Sequence, residues 1–320
     1  MNNCHPTFYA KLLLFGEYSI LLGSSALSIP LKHFKASFNY IDNQTSNSKT
    51  AVFSNQQLKK YHNFLKESGN YDGILDLTSF GNDLEKGLYF QSSIPQSYGL
   101  GSSGAVVAAV YSAYSIDKTT EKEKLCSIFS DMEAWFHGKS SGIDPLTIFV
   151  NQPLIFDKNK KPGAVEIPVN ENQDNVAIFL IDTDIQGKTN VMVRNFMEKF
   201  APEGNISAKA IEFVKLTDMC IDFYIKGNSS QFMQTLKSLS EFQFENMQQL
   251  IPENIKETWL LGLDNNKLIM KICGSGGGGY LLGFANNKNQ AIEFLKNMHT
   301  GFIEVRFAKA NSTKKQDITS

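Results

Sequence analysis

Cysteine is scarce in this chain: four in 320 residues, Cys4, Cys126, Cys220 and Cys273, with no CxxC spacing among them. That excludes a disulfide framework or a zinc knuckle as the basis of the fold, and a reducing cytoplasm is the expected setting. Net charge is nearly absent as well. With 31 basic against 32 acidic side chains the formal charge is −1, so a generally basic nucleic-acid binder is excluded, and 42% hydrophobic residues exclude a long disordered chain. Arginine is rare among the cations, Arg194 and Arg306 alone, which limits bidentate clamping of a carboxylate. No apolar run approaches the roughly 18 to 20 residues of a membrane helix. Residues 12–22 come nearest to a signal peptide, but Gly16 and Glu17 interrupt them and no small-residue cleavage site follows. The polar tail 311–320 is expected to fray, and there is no internal repeat.

What is present is enough chain for about two domains. Residues 8–15 and 26–31 are short apolar runs that read as strands, and 41–50, rich in Asn, Ser and Thr, as an exposed loop. Helical spacing over 56–66 places Leu58, Tyr61 and Leu65 on one face. Residues 105–116 are apolar on nearly every side, the pattern of a central helix buried all round. An amphipathic helix follows over 122–137, with Leu125, Phe129, Met132 and Phe136 on its apolar face. The polar run 170–175 precedes the strand-like 176–181 and marks a domain boundary, giving domains 1–175 and 176–320. Beyond it, periodicity predicts helices over 191–200, 207–225, 230–250, 253–263 and 288–298, and strands over 267–273, 280–285 and 302–308.

Two glycine-rich loops carry the first chemical signal, IPQSYGLGSSGAVV (94–107) and CGSGGGGYLLGF (273–284). Both match GxGxxG formally. A dinucleotide fingerprint, however, needs a second strand ending in an acidic residue about 20 positions on, and a P-loop needs Lys followed by Ser or Thr; neither is found. The first loop leads small residues into the buried helix, so backbone N–H groups and the positive helix end can converge on an anion, with Ser102 and Ser103 offering hydroxyls. A tight turn with a serine cap is the plainer alternative. Segment 133–147 places Glu133 at a helix end and Asp144 eleven residues later in a Gly/Ser-rich turn; one can hold a metal and the other accept a proton, or both can be solvated caps. His137 and Gly138 can simply end the helix. In 9–23, Lys11 interrupts an apolar strand and needs either an exposed strand edge or an acidic partner.

Taken in order, these segments resemble the GHMP kinases, a family of small-molecule kinases. The first family motif, an apolar strand with Lys and then a Gly-Glu turn, is matched by Lys11 to Tyr18. The second, Pro-x3-Gly-Leu-Gly-Ser-Ser, is matched by Pro95 and Gly99 to Ser103, and the third, a glycine-rich loop, by Gly274 to Gly279. Between them, the Glu-x3-His-Gly-x2-Ser-Gly-[Val/Ile]-Asp run of the mevalonate-phosphorylating branch is matched by Glu133, His137, Gly138, Ser141, Gly142, Ile143 and Asp144. The matches span residues 8–284.

The resemblance implies an α+β fold of two domains, the N-terminal one like ribosomal protein S5 domain 2 and the C-terminal one ferredoxin-like. It implies transfer of the γ-phosphoryl group of ATP, with Mg2+, to a small alcohol: mevalonate first, phosphomevalonate or a sugar as alternatives, and a nucleotide-binding relative without catalysis as a different class. Asp144 and Lys11 would be catalytic. Pro95, Gly99, Leu100, Gly101, Ser102, Ser103 and Gly104 would hold ATP, and Ser103 with Glu133 the magnesium ion. Glu17, Tyr18, His137, Thr189, Gly276 and Gly277 would border the acceptor, with Lys188 or Arg194 meeting its acid group. A small alcohol is thus the expected partner, with no nucleic acid or membrane, and a homodimer is possible as in other family members. Three departures, Tyr18 for the usual His, Pro145 for the usual Asn and Tyr9-Ala10 for Pro-Gly, all border the acceptor side.

Overall fold

Two antiparallel sheets organise the computed structural model, which describes residues 5–42, 45, 47–168, 176–187, 189–202 and 205–307. The first is built from β1 (Phe8–Phe15), β2 (Ala26–Tyr40), β3 (Leu88–Ser92), β4 (Leu154–Phe156) and β5 (Pro162–Ala164), in the order β1-β2-β4-β5 with β3 on the far half of β2. Strand β2 continues well past residue 31, because Ala36 to Tyr40 find a second partner in β3. Helices α1 (Lys49–Ser68), α2 (Leu77–Glu85), α3 (Ser102–Tyr114), α4 (Lys122–His137) and α5 (Ile143–Val150) accompany this sheet. Helix α3 is the central one: Ala105, Val107, Ala108, Val110 and Tyr111 are all buried, and it packs on α4, α5 and β1.

The second sheet runs β7-β8-β6-β9, from β6 (Ala177–Asp182), β7 (Ile269–Ile272), β8 (Tyr280–Ala285) and β9 (Phe302–Val305). Its helices are α6 (Thr189–Phe200), α7 (Ala208–Ile225), α8 (Ser229–Asn246), α9 (Glu253–Asp264) and α10 (Lys288–Asn297). Antiparallel pairing throughout, with strands and helices segregated, is the α+β class expected. Strands of the first sheet end at Ala164 and those of the second begin at Ala177; the polar run 170–175 lies outside the described residues.

The two sheets share apolar contacts. Phe15 of β1 lies 5.9 Å from the Phe232 ring and 6.0 Å from that of Phe284, and α7 packs on the 3-10 turn Ser19–Leu22 and on both β1 and β2. Polar ties cross this junction as well, among them the Ser25 N–H to Asp218 Oδ1 at 2.8 Å. Among the described residues no helix is long and apolar enough to cross a membrane.

One expectation needs correction where it matters most. Asp144 does not sit in a loose Gly/Ser-rich turn but in the first turn of α5. Pro145 is compatible with that helix, because in the first turn a missing N–H breaks no intrahelical bond. Burial of Ile143, Leu146 and Ile148 then holds the short helix against the core.

Candidate active site

Lys11 is a buried cation on an apolar strand, 3% exposed, with α3 and α5 packed on β1 beside it. Its Nζ lies 2.8 Å from Asp144 Oδ1, and Asp144 is 31% exposed. Of the two alternatives for this lysine, the acidic partner is the one realised. Burial pulls the Lys11 ammonium toward losing its proton, but the charge and hydrogen bond of Asp144 outweigh it and hold the group above its usual range. Asp144 also occupies the positive end of α5, a position that favours a carboxylate.

The first glycine-rich loop is fastened to the same strand, since the Lys11 N–H donates to the Leu100 carbonyl at 3.1 Å. Gly101 then starts α3 with φ 79°, and a Cβ there would fall 2.9 Å from Lys11 Cγ, so both conformation and space call for glycine. A Cβ on Gly104 would meet the Pro145 nitrogen at 2.8 Å; the N-termini of α3 and α5 therefore abut. Gly101 has no side chain to cap α3, which leaves the first-turn N–H groups at Ser102, Ser103 and Gly104 without a capping side chain. Pro95 lies half-buried in the turn that leads from β3 into this loop.

Across from that helix end is Glu133, on the last turn of α4 and only 4% exposed. Ser103 Oγ donates to its Oε1 at 2.8 Å, and Ser140 Oγ to its Oε2 at 2.5 Å. Burial, then the nearby charge of Asp144, pushes the Glu133 carboxyl up to about 7 against the opposing pull of Ser140, Ser103 and Lys11. A carboxylate and a hydroxyl facing each other are a hard-oxygen donor pair suited to Mg2+, which usually takes only one or two protein carboxylates and completes its shell with phosphate and water. Among the described residues no cluster of three or more His, Cys, Asp or Glu could hold a metal by itself.

The acceptor-side expectations fare unevenly. Glu17 is enclosed: its Oε2 pairs with Lys271 Nζ of β7 at 2.8 Å, with side-chain exposures of 2% and 1%. Tyr18, at φ 61°, donates its hydroxyl to the Ser275 carbonyl and packs its ring on Phe196 at 4.8 Å. His137 turns to Ser103, its Nε2 being 3.0 Å from Ser103 Oγ. The third loop is held by its backbone: the Gly277 N–H donates to the Leu250 carbonyl at 2.7 Å, Gly276 packs on Leu250, and Gly274 touches Gly99 of the first loop. Arg194 is 81% exposed and ion-paired with Glu198 along α6. Thr189 opens α6, but its side chain and all of Lys188 lie outside the described residues.

Lys11, Asp144, Gly101, Ser103, Gly104, Glu133 and His137 thus meet in one place. Two neighbours were overlooked. Lys271 had the same signal as Lys11, a lone lysine in an apolar strand, whereas Ser140 carried none, since nothing in KSSG says which serine turns inward.

Residues 59–152 match the family model for the GHMP kinases N terminal domain. Among curated proteins, the mevalonate kinase of Thermococcus sibiricus is 24% identical over 308 residues, covering 88% of this chain and 89% of that protein. Among solved structures, the mevalonate kinase of Methanococcus jannaschii aligns with a TM-score of 0.64 at 18% identity, covering 96% of this chain and 100% of that one. A Lactococcus lactis galactokinase complexed with galactose aligns with a TM-score of 0.66 at 13% identity, covering 95% and 94%. One fold therefore serves kinases of different acceptors, and the fold alone does not choose among them.

Proposed function

We propose that this chain is a kinase of the GHMP family, the family whose N-terminal model its residues 59–152 match, and that it transfers the γ-phosphoryl group of ATP to the hydroxyl of a small alcohol, mevalonate foremost. The observation that carries this is the Lys11–Asp144 pair: Lys11 holds one carboxylate oxygen at 2.8 Å while Asp144 remains partly open to solvent. Its second oxygen takes the proton of the acceptor hydroxyl as the oxygen attacks phosphorus, and the Lys11 ammonium stabilises the charge that develops there. Pro95 and the loop Gly99, Leu100, Gly101, Ser102, Ser103 and Gly104 cradle the phosphates with backbone N–H groups at the start of α3. Ser103 and Glu133 hold the magnesium ion; when bound, it neutralises phosphate charge.

The two sheets are read as two domains, 1–175 and 176–320, with the acceptor between the Gly16–Tyr18 turn and the third glycine-rich loop. In this reading Glu17 and Tyr18 shape the acceptor wall through their ties to Lys271 and Ser275 rather than by free polar groups. A phosphorylated acceptor would need further cations: Lys11 and Lys271 are each already paired with a carboxylate, which leaves Lys139, exposed just after α4, or Lys188 to supply them. That favours mevalonate over phosphomevalonate, as does the family of the Thermococcus sibiricus relative.

The test is ADP release with MgATP across mevalonate, phosphomevalonate, galactose and homoserine, run beside Asp144→Asn. Turnover with mevalonate that falls about 10²- to 10⁴-fold in the variant is expected. Turnover with another acceptor would replace the substrate and keep the kinase, whereas nucleotide binding without turnover on any alcohol would sink the catalytic assignment.

A further inference from the structure

Ser140 lies in the short connection between α4 and α5, half-buried, and its hydroxyl is used twice. It donates to Glu133 Oε2 at 2.5 Å and accepts from the Gly142 N–H at 3.0 Å. Gly142 is the N-cap of α5, two residues before Asp144. One side chain is therefore bonded both to the carboxylate at the end of α4 and to the backbone that starts the helix bearing Asp144. The connection is itself pinned to α4: Ser130 Oγ donates to the Ser140 carbonyl at 2.7 Å, and Cys126 Sγ to the Ser141 carbonyl at 3.3 Å. With its backbone fixed in this way, the Ser140 hydroxyl is delivered to Glu133 at a set place.

Glu133 has two oxygens to satisfy in a site that is 4% exposed. Ser103, on α3, takes Oε1; without Ser140 the other oxygen would lose its bond in a nearly dry environment, a costly state that a rotated carboxylate would relieve. Rotation would carry Oε1 away from Ser103 and so break up the oxygen pair facing the phosphate loop. We propose that Ser140 is a positioning residue, fixing the rotation of Glu133 and tying it to the start of α5, so that the metal-side carboxylate and the proton-accepting carboxylate are set in register by one hydroxyl. This rests on the kinase reading above, in which Glu133 holds magnesium. Partners that orient a metal ligand typically affect metal affinity by 10- to 100-fold when removed.

The experiment is the affinity of the protein–ATP complex for Mn2+, as a spectroscopic stand-in for Mg2+, titrated by electron paramagnetic resonance without any acceptor alcohol. It is paired with the Mg2+ dependence of turnover and with the melting temperature. Ser140→Ala should weaken metal affinity about tenfold and lower kcat at saturating metal, with little change in the acceptor KM. Ser140→Thr keeps the hydroxyl and should restore metal affinity to within about twofold, which keeps the test informative if the alanine variant folds poorly. Ser130→Ala cuts one of the two backbone pins and keeps the Ser140 hydroxyl; it should lower the melting temperature and weaken metal affinity less than Ser140→Ala does. Glu133→Gln separates the two layers of the inference. If it loses metal affinity while Ser140→Ala keeps it, the role of Ser140 is overturned and the magnesium assignment survives. If Glu133→Gln also binds metal normally, the magnesium assignment fails and the role of Ser140 with it.

Discussion

Lys11 in β1 and Lys271 in β7 each stand alone in an apolar strand, and each faces a carboxylate at 2.8 Å. What differs is the far side of the carboxylate. Asp144 is 31% exposed at a helix N-terminus, whereas Glu17 and Lys271 are enclosed, with side-chain exposures of 2% and 1%. The closed pair compensates for its desolvation with further contacts: Lys271 also donates to the Ile272 carbonyl at 2.7 Å and stands 5.3 Å above the Phe15 ring. Even so, Glu17 Oε1 has no hydrogen-bond partner among the described residues, and burial raises the Glu17 carboxyl despite Lys271. A pair without access to solvent or substrate can only fasten, here a turn of the first sheet to a strand of the second. The same pair with one open oxygen can exchange a proton.

The comparison breaks if the two pairs respond alike to mutation. The largest effect on turnover is expected at the open one: Asp144→Asn should lower kcat about 10²- to 10⁴-fold, and because it leaves the buried Lys11 without its counter-charge it should also cost stability, though less than at the closed pair, since the asparagine oxygen still accepts from Lys11. Lys271→Met should do the reverse, costing about 3–5 kcal/mol by stranding a buried carboxylate, measured by urea denaturation. Adding Glu17→Gln to Lys271→Met should recover most of that loss, because exchanging both members of a buried pair for neutral groups is often nearly neutral. A double variant as unstable as the single one would mean that Lys271 acts through its packing and its bond to Ile272, not through the ion pair.

That contrast also separates what the residues announced from what only folding could decide. Motifs announce chemistry when residue type restricts the options: a lysine in an apolar strand demands an acid, and small residues before an all-apolar helix leave its N–H groups open. Lys11 and the Gly99 to Gly104 loop were marked out in that way, Glu133 and Asp144 by the family resemblance, and the long helices α4, α7 and α8 by their periodicity. Short elements fixed by tertiary partners were not. Helix α2 and strand β3 occupy a stretch whose pattern announced neither, and α5 follows the Gly/Ser-rich residues in which Asp144 was read as part of a turn. The closed state of Glu17 was equally hidden, since its partner lies 254 residues away. The choice of Ser140 over Ser141 for Glu133 depends on the path of a five-residue connection, which type and spacing do not encode.

Smaller effects sharpen the comparison. Glu133 lies between the two extremes, buried like Glu17 yet facing the open site like Asp144, and its carboxyl is pushed up to about 7 from the usual 4.5. Its folded form therefore keeps the proton more tightly than the unfolded chain does. The stability this contributes is fully present below about 4.5 and is lost as pH rises toward 7, so the metal-free protein should melt lower at pH 7 than at pH 5, by a few degrees more than Glu133→Gln does. An equal slope in the variant would remove Glu133 as the source.

The smallest effect belongs to Tyr18, which ties the first-motif turn to the third glycine-rich loop beside the closed pair. Tyr18→Phe keeps the ring on Phe196 and deletes only the hydroxyl donated to the Ser275 carbonyl. The expected cost is about 1 kcal/mol of stability, the ordinary net worth of one such bond. If this bond also holds the acceptor wall, the acceptor KM should rise a few-fold while kcat and the KM for ATP stay level, because the proton-accepting carboxylate and the phosphate loop are untouched. A stability loss with no change in acceptor KM would assign the tyrosine to the fastening alone, alongside Glu17 and Lys271, and would place the substrate-contacting wall elsewhere.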